Sequence, residues 1–155
     1  MNKPVKDILG DLLPEFGFTA KKGRNWYRDK GEVLHVIGLQ KSNWGTLHYL
    51  NLAIWVKQLG EEDRPRFEQC HIQQRLGSIA LHPSELEAAL NEEDYWKMDE
   101  GERARILKLE IANAEFVFYR EMASVQSIRQ YLLDGSRTQN LAVTRALKNA
   151  LQIPL

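Results

Sequence analysis

Gln40, Lys41, Ser42, Asn43, Trp44 and Gly45 follow one another without a break and bring amide, ammonium, hydroxyl and indole groups into one short stretch. Such a turn-rich loop after an apolar strand is where scaffolds place recognition, and a projecting Trp is among the strongest anchors an interface can have. The same residues also make a good structural turn. Ser42 and Asn43 can bond their own backbone, Gly45 can supply a positive φ, and Trp44 can fold back onto the sheet. Further along, His71 and Arg75 share one face of an extended run, about 13 Å apart, too far for a direct pair. With Gln40 and Lys41 they could instead line a pocket between sheet and loop that orients an anionic group.

Cys70 precedes His71, but neighbours on a strand point to opposite faces, so the two are poorly placed to share an ion. The four histidines are scattered, with neither His-x-x-x-His nor Cys-x-x-Cys spacing, so no metal is expected. A second constellation, Lys21, Lys22 and Arg24 beside Trp26 and Tyr27, could grip phosphate while stacking a base. It reads equally as a strand edge whose lysines discourage pairing with other chains. The balance of 21 basic against 21 acidic residues supplies no wider basic footprint, which disfavours nucleic acid.

Neither a phosphate-cradling glycine loop, nor a dinucleotide fingerprint, nor a Gly-x-Ser-x-Gly elbow is present, and no nucleophile can be matched to a base. No catalytic residue or cofactor is assigned on this basis. The acidic residues Glu92, Glu93 and Asp94, with Asp99, Glu100 and Glu102 beyond Trp96, suit a helix start, where the macrodipole favours negative charge. Glu102, Arg103, Arg105, Lys108 and Glu110 read as a solvated helix face.

The elements that must position these groups follow from periodicity. Val5, Ile8, Leu9, Leu12 and Leu13 recur at helical spacing behind Pro4, and Pro14 and Gly17 end that helix. From Phe18 to Leu59 short runs rich in aromatic and branched residues alternate with turns at Asp29-Lys30-Gly31 and Ser42–Gly45, which describes a meander. Val33 to Leu39, apolar on both parities, suits a central strand. In His48 to Lys57, Leu50, Leu52, Ile54 and Val56 point one way. Tyr49, Asn51, Ala53, Trp55 and Lys57 point the other, so the strand should be half buried. A fourth strand spans Gln69 to Leu76. Helices are expected at Pro83–Leu90, from Asp99 along Leu107, Ile111, Ala114, Phe118 and Met122, and at Val125–Leu133 behind Ser124. After Gly135-Ser136 a last helix carries Leu141, Ala142, Leu147 and Leu151, ended by Pro154.

Strands first and helices afterwards give an α+β fold: an N-terminal helix, an antiparallel sheet of about four strands, and C-terminal helices on one sheet face. The length of 155 residues suits a single domain, sheet-rich over about 18–80 and helical over about 83–153. By alternation the other sheet face carries Tyr49, Asn51, Trp55, Lys57, His71, Gln73 and Arg75, as solvent face or binding surface. The lone Cys70 fits a reducing compartment, and neither a signal-peptide core nor a membrane-length apolar run occurs, so a cytoplasmic protein without membrane contact is expected.

Gly17-Phe18, Lys21-Lys22-Gly23-Arg24, Trp26-Tyr27, Leu39-Gln40-Lys41-Ser42 and Cys70-His71-Ile72 occur in an order that resembles the bacterial family catalogued as domain of unknown function 4304. Its Tyr and Asn-Leu element stands here as Tyr49-Leu50-Asn51-Leu52. The resemblance covers about the first half of the chain, and the helical half matches in general layout. It implies a small bacterial cytosolic protein and transfers no activity. The residues themselves then favour a protein-binding module, such as an immunity or accessory protein, acting through Gln40, Lys41, Ser42, Trp44, Trp55, His71 and Arg75. A small anionic ligand or a reaction in the sheet–loop pocket is the alternative, and nucleic acid on the 21–24 cluster a further one.

Overall fold

The computed structural model describes residues 3–92, 98–135, 138 and 140–153. Helix α1, Val5–Leu12, buries Val5, Ile8, Leu9 and Leu12, the stripe that their spacing predicts. A 3-10 turn, Leu13–Phe16, carries the chain to Gly17, whose φ of +90° stops it. Gly17 suits that backbone because it has no Cβ to clash there.

Six antiparallel strands follow in the simplest order, β1-β2-β3-β4-β5-β6. They are β1 (Ala20–Lys22), β2 (Asn25–Asp29), β3 (Val33–Lys41), β4 (His48–Val56), β5 (Ile72–Arg75) and β6 (Ala142–Val143). The expected meander is present. Its count rises from about four to six because the turn at Gly23, φ +62°, splits the first run into β1 and β2, and because β6 joins β5. Leu141 and Ala142 are therefore not in the last helix. Thr144 donates its N–H to the His71 carbonyl, then caps α5 (Arg145–Ala150) by accepting from Leu147 N–H. Ser136, Pro154 and the Glu93, Asp94 and Trp96 group lie outside the described residues.

Helices α2 (Pro83–Ala89), α3 (Glu100–Val117), α4 (Val125–Leu133) and α5 cover one sheet face together with α1. Asp99 caps α3 and Ser124 caps α4 through their side-chain oxygens, as their positions predict. Each such cap is worth about 1 kcal/mol. The main core joins Ile37, Leu50, Leu52 and Ile54 from the sheet to Leu9, Leu107, Ile111, Phe118 and Ile128 from the helical layer. Beyond the end of α3, the buried Tyr119 hydroxyl donates to the Val36 carbonyl (2.6 Å) and accepts from Ala53 N–H (3.2 Å), which pins that turn to the two central strands.

The opposite sheet face is also closed over most of its area. Tyr27, Leu34, Val36, Ala53, Trp55, Phe67 and Cys70 form a second, smaller core beneath the 57–71 connection. Phe67 lies directly on Gly38, where a Cβ would come within 2.3 Å of its ring, and Gly60 lies equally tightly on Trp55. Tyr27 donates its hydroxyl to the Pro65 carbonyl (2.9 Å). β4 is thus buried on both faces instead of one.

α3 departs from a solvated helix at two positions, for Arg103 and Glu110 are fully buried. Both are held by backbone at the ends of α2. Glu110 accepts from the N–H groups of Leu81 and His82, ahead of α2, and Arg103 Nε donates to the Ala89 carbonyl at its last residue. Arg103 also donates to the Lys3 carbonyl and lies 3.7 Å from Glu92. Glu92 accepts from Val5 N–H, so it serves the start of α1, not that of α3.

Candidate functional site

The closure of the second sheet face leaves one corner of it open, at the end where β3 leaves the sheet and β4 enters. Register brings the residues together there: Gln40 pairs with Tyr49 and Asn51 with Arg75, so all four lie on the same face. The Arg75 guanidinium sits 3.9 Å from the centre of the Tyr49 ring. Gln40 Oε1 accepts from Asn51 Nδ2 at 3.2 Å and, at a longer 3.5 Å, from Arg75 Nη2. Stacking on the ring and the contact with Gln40 fix the plane of the guanidinium, a preorganisation that Arg offers and Lys does not.

Beside this stack the loop from Ser42 to Leu47 is fastened at its base. Ser42 N–H donates to the Leu47 carbonyl, Leu47 bridges Asn91, and Thr46 donates its hydroxyl to Asn91 Oδ1 (2.7 Å). At its tip Ser42 Oγ accepts from Trp44 N–H (3.2 Å), the local turn bond that Ser at that place favours. The remaining features of a purely structural turn do not occur. Gly45 has no positive φ, and Trp44 is 95% exposed, so its indole is not folded onto the sheet. A large apolar ring held in water on an anchored loop contributes nothing to the core.

β5 pairs with β4 only as far as Asn51, so His48–Leu50 run on beyond it. The space past the end of β5 is a groove of about 310 Å³ between Leu47–Leu50, Arg75, Gly77, the α2 residues Pro83, Leu86 and Glu87, and Leu90 just after α2. Its α2 wall is held at both ends by the buried charges of α3. His48, buried at the sheet side, has its pKa lowered by burial against the opposing pull of Glu92, so it is neutral at neutral pH. Its N–H donates to the Leu90 carbonyl (3.0 Å), which ties strand to helix.

The sequence-based set divides on this geometry. Gln40 and Arg75 meet in the corner, Ser42 and Trp44 stand in the loop that adjoins it, and Lys41 is exposed at the end of β3, opposite His48. Trp55 and His71 do not belong to it. Both are 6% exposed, stacked at 4.5 Å in the second core, and His71 Nδ1 accepts from Val56 N–H (2.9 Å). Alternation put His71 on the right face but not as a buried residue, and it put Cys70 on the wrong face because β5 starts only at Ile72. The preceding residues form a 3-10 turn, Phe67–Gln69, and Cys70 and His71 both meet the second core. Burial raises the Cys70 thiol to about 12, which leaves it protonated. No cluster of three or more metal-ligating side chains occurs among the described residues.

The basic cluster is also dispersed. Lys21, Lys22 and Arg24 are exposed, but Trp26 and Tyr27 are each only 2% exposed and offer no ring to a base. Lys21 lies 5.4 Å from the Trp26 ring, and Lys22 lines a shallow hollow with Glu61, Glu62, Asp63 and Arg64, three acids against two cations. Tyr49 is the contributor that sequence reasoning placed on the right face without assigning it to a site. Parity on β4 with Asn51 was its only signal, since the groove walls come from α2, distant in sequence.

A family model described as a domain of unknown function (DUF4304) matches residues 9–114, from α1 to within α3. No curated protein and no solved structure matches the chain. The matched span includes every residue of the corner and both walls of the groove, while α4, β6 and α5 lie beyond it. Among the described residues no helix is long and apolar enough to cross a membrane.

Proposed function

We propose that this chain, which belongs to the DUF4304 family, is a protein-binding module whose contact surface is the corner formed by Trp44, Tyr49, Arg75 and Gln40. The observation that carries this reading is Trp44, 95% exposed on a loop fastened at its base. Exposing an indole opposes the hydrophobic effect by roughly 1.5–3 kcal/mol, judged from side chains of similar size, and covering it by a partner recovers that energy. Trp, Tyr and Arg are also the residue types that dominate interface energetics. The buried single cysteine accords with a bacterial cytoplasmic setting.

Affinity capture from a lysate of the native host tests the reading. The wild type is expected to retain a stoichiometric partner that the Trp44→Ala, Arg75→Ala double variant loses. Recovery of the same proteins with both baits refutes it.

A second reading has its own support. The groove lies at the lower end of the size range of small-molecule sites, with Arg75 at its rim and Gln40 beside Arg75, so a small anionic ligand would find a cation and an apolar wall together. A thermal-shift screen of nucleotides and phosphorylated metabolites discriminates. Stabilisation that disappears in Arg75→Ala would favour this reading over the first.

A further inference from the structure

Arg75 uses its fork differently from Arg28, which lies on the opposite, helix-covered sheet face. Arg28 spends its guanidinium on the Phe16 carbonyl, His35 and Glu115. Arg75 is exposed, stacked on Tyr49, and among the described residues meets no carboxylate within ion-pair distance; its one hydrogen bond is the 3.5 Å contact to Gln40. Its remaining N–H donors form a rigid planar fork, a geometry matched to two oxygens of one carboxylate. Lys41, the last residue of β3, is exposed and among the described residues has no ion pair. Beyond the fork the groove turns apolar, with Leu47 and Pro83 accessible along it, the buried Leu86 and Leu90 at its floor and Glu87 on the α2 side.

Resting on the binding-module reading, we infer that the partner enters this groove with an acidic segment, one carboxylate seated on Arg75 and a neighbouring apolar side chain against the accessible Leu47 and Pro83. Charge complementarity selects this occupant. A carboxylate at the Arg75 end fills an unmatched fork, whereas Glu87 repels a second anion from the α2 side. A nucleic-acid strand presents phosphate at every step and would meet Glu87, and the rings of the separate basic cluster, Trp26 and Tyr27, are buried. An acidic side chain followed by an apolar one satisfies both halves of the groove.

Selection from a random-peptide display library on the immobilised full chain tests the inference without knowledge of the partner. Enriched peptides are expected to carry Asp or Glu next to Leu, Ile or Phe, and to bind Arg75→Ala at least about tenfold more weakly, the loss of one charge-assisted contact. Arg75→Glu should lose them and regain binding when the acidic residue of the peptide is changed to Lys, a reversal that general damage to the fold cannot produce. Unchanged melting temperatures of both variants confirm that an exposed residue was altered. Peptides that need Trp44 but carry no acid, or that ignore Arg75, overturn the inference and leave the binding module standing. Absence of any enriched peptide dependent on Trp44 or Arg75 overturns both. A twelve-residue oligothymidylate that binds more tightly than the best peptide and is released by Arg75→Ala overturns the inference in favour of nucleic acid.

Discussion

Replacing His35 with Gln should remove much of the sensitivity of this protein to mild acid. His35 lies in the core beneath α3, fully enclosed, with Nε2 2.8 Å from the Met122 carbonyl. Its Nδ1 accepts from Arg28, 3.2 Å from Nε and 2.7 Å from Nη2. The ring is therefore the neutral tautomer with its proton on Nε2. A second proton would set an N–H against two guanidinium N–H groups. Burial, reinforced by Arg28 and Lys30 and opposed by the Met122 carbonyl, pulls the pKa from 6.5 down to about 3. Above pH 6.5 the folded and unfolded states both hold a neutral ring, and its full contribution is present. As pH falls below 6.5 the unfolded chain takes up a proton that the folded chain refuses, and stability is lost until about pH 3. At about 1.4 kcal/mol per pH unit, the loss reaches roughly 2 kcal/mol by pH 5 and roughly 5 kcal/mol in all. Burial lowers His48 and His71 in the same direction, so the wild-type curve alone does not isolate His35. Urea unfolding of wild type and His35→Gln at pH 7, 6 and 5 does. The wild type is the more stable at pH 7, and the gap should narrow by about 2 kcal/mol at pH 5. A gap that stays constant, or an NMR titration of His35 above pH 5, refutes the reasoning.

Gly38→Ala should cost about 1–3 kcal/mol, because the new methyl would overlap the Cβ, Cγ and Cδ1 atoms of Phe67. Chemical denaturation should show much of that cost returning in a Gly38→Ala, Phe67→Leu double variant, and independent, additive effects would count against the packing of the 57–71 connection described above. Arg103→Ala should destabilise by about 3 kcal/mol, since it removes a buried guanidinium from Ala89, Lys3 and Glu92 and leaves those groups without it. Calorimetry should record a fall in Tm of roughly 6–12 °C, and a fall under 2 °C would show that water replaces the contacts. Cys70 should react with a thiol reagent at neutral pH only as fast as the protein opens, its thiol being buried and raised to about 12. Rapid labelling in the absence of denaturant would contradict its enclosure.

The corner depends on distant anchors. Glu110 and Arg103 hold the two ends of α2, and α2 supplies one wall of the groove that Arg75 borders. Substitutions in α3 far from Trp44 should therefore weaken partner binding through the position of α2, with the corner residues themselves unaltered.

Local chemistry was sufficient for most of the elements. Helical spacing placed α1, a carboxylate and a hydroxyl placed the starts of α3 and α4, and alternating runs between turn residues placed β3 and β4, because period, cap and turn are each settled by neighbours within about four residues. The order of short motifs was likewise enough to identify the family. Assigning faces was a different matter. Whether Trp55, His71 and Tyr27 were surface or core turned on the 57–71 connection folding back over the second sheet face, and a charged, proline-containing stretch carries no periodic signal of such packing. Arg103 and Glu110 read as solvated because spacing reports which residues share a helix face, and not that the backbone of α2 would come to meet them. The two-residue β6 is too short for any pattern and exists because β5 offered it an edge. In the corner, sequence order supplied Gln40 and Trp44 as neighbours of the turn. Arg75 reached Tyr49 and Gln40 only through strand register, which is set by core packing across the whole sheet and not by the residues that meet.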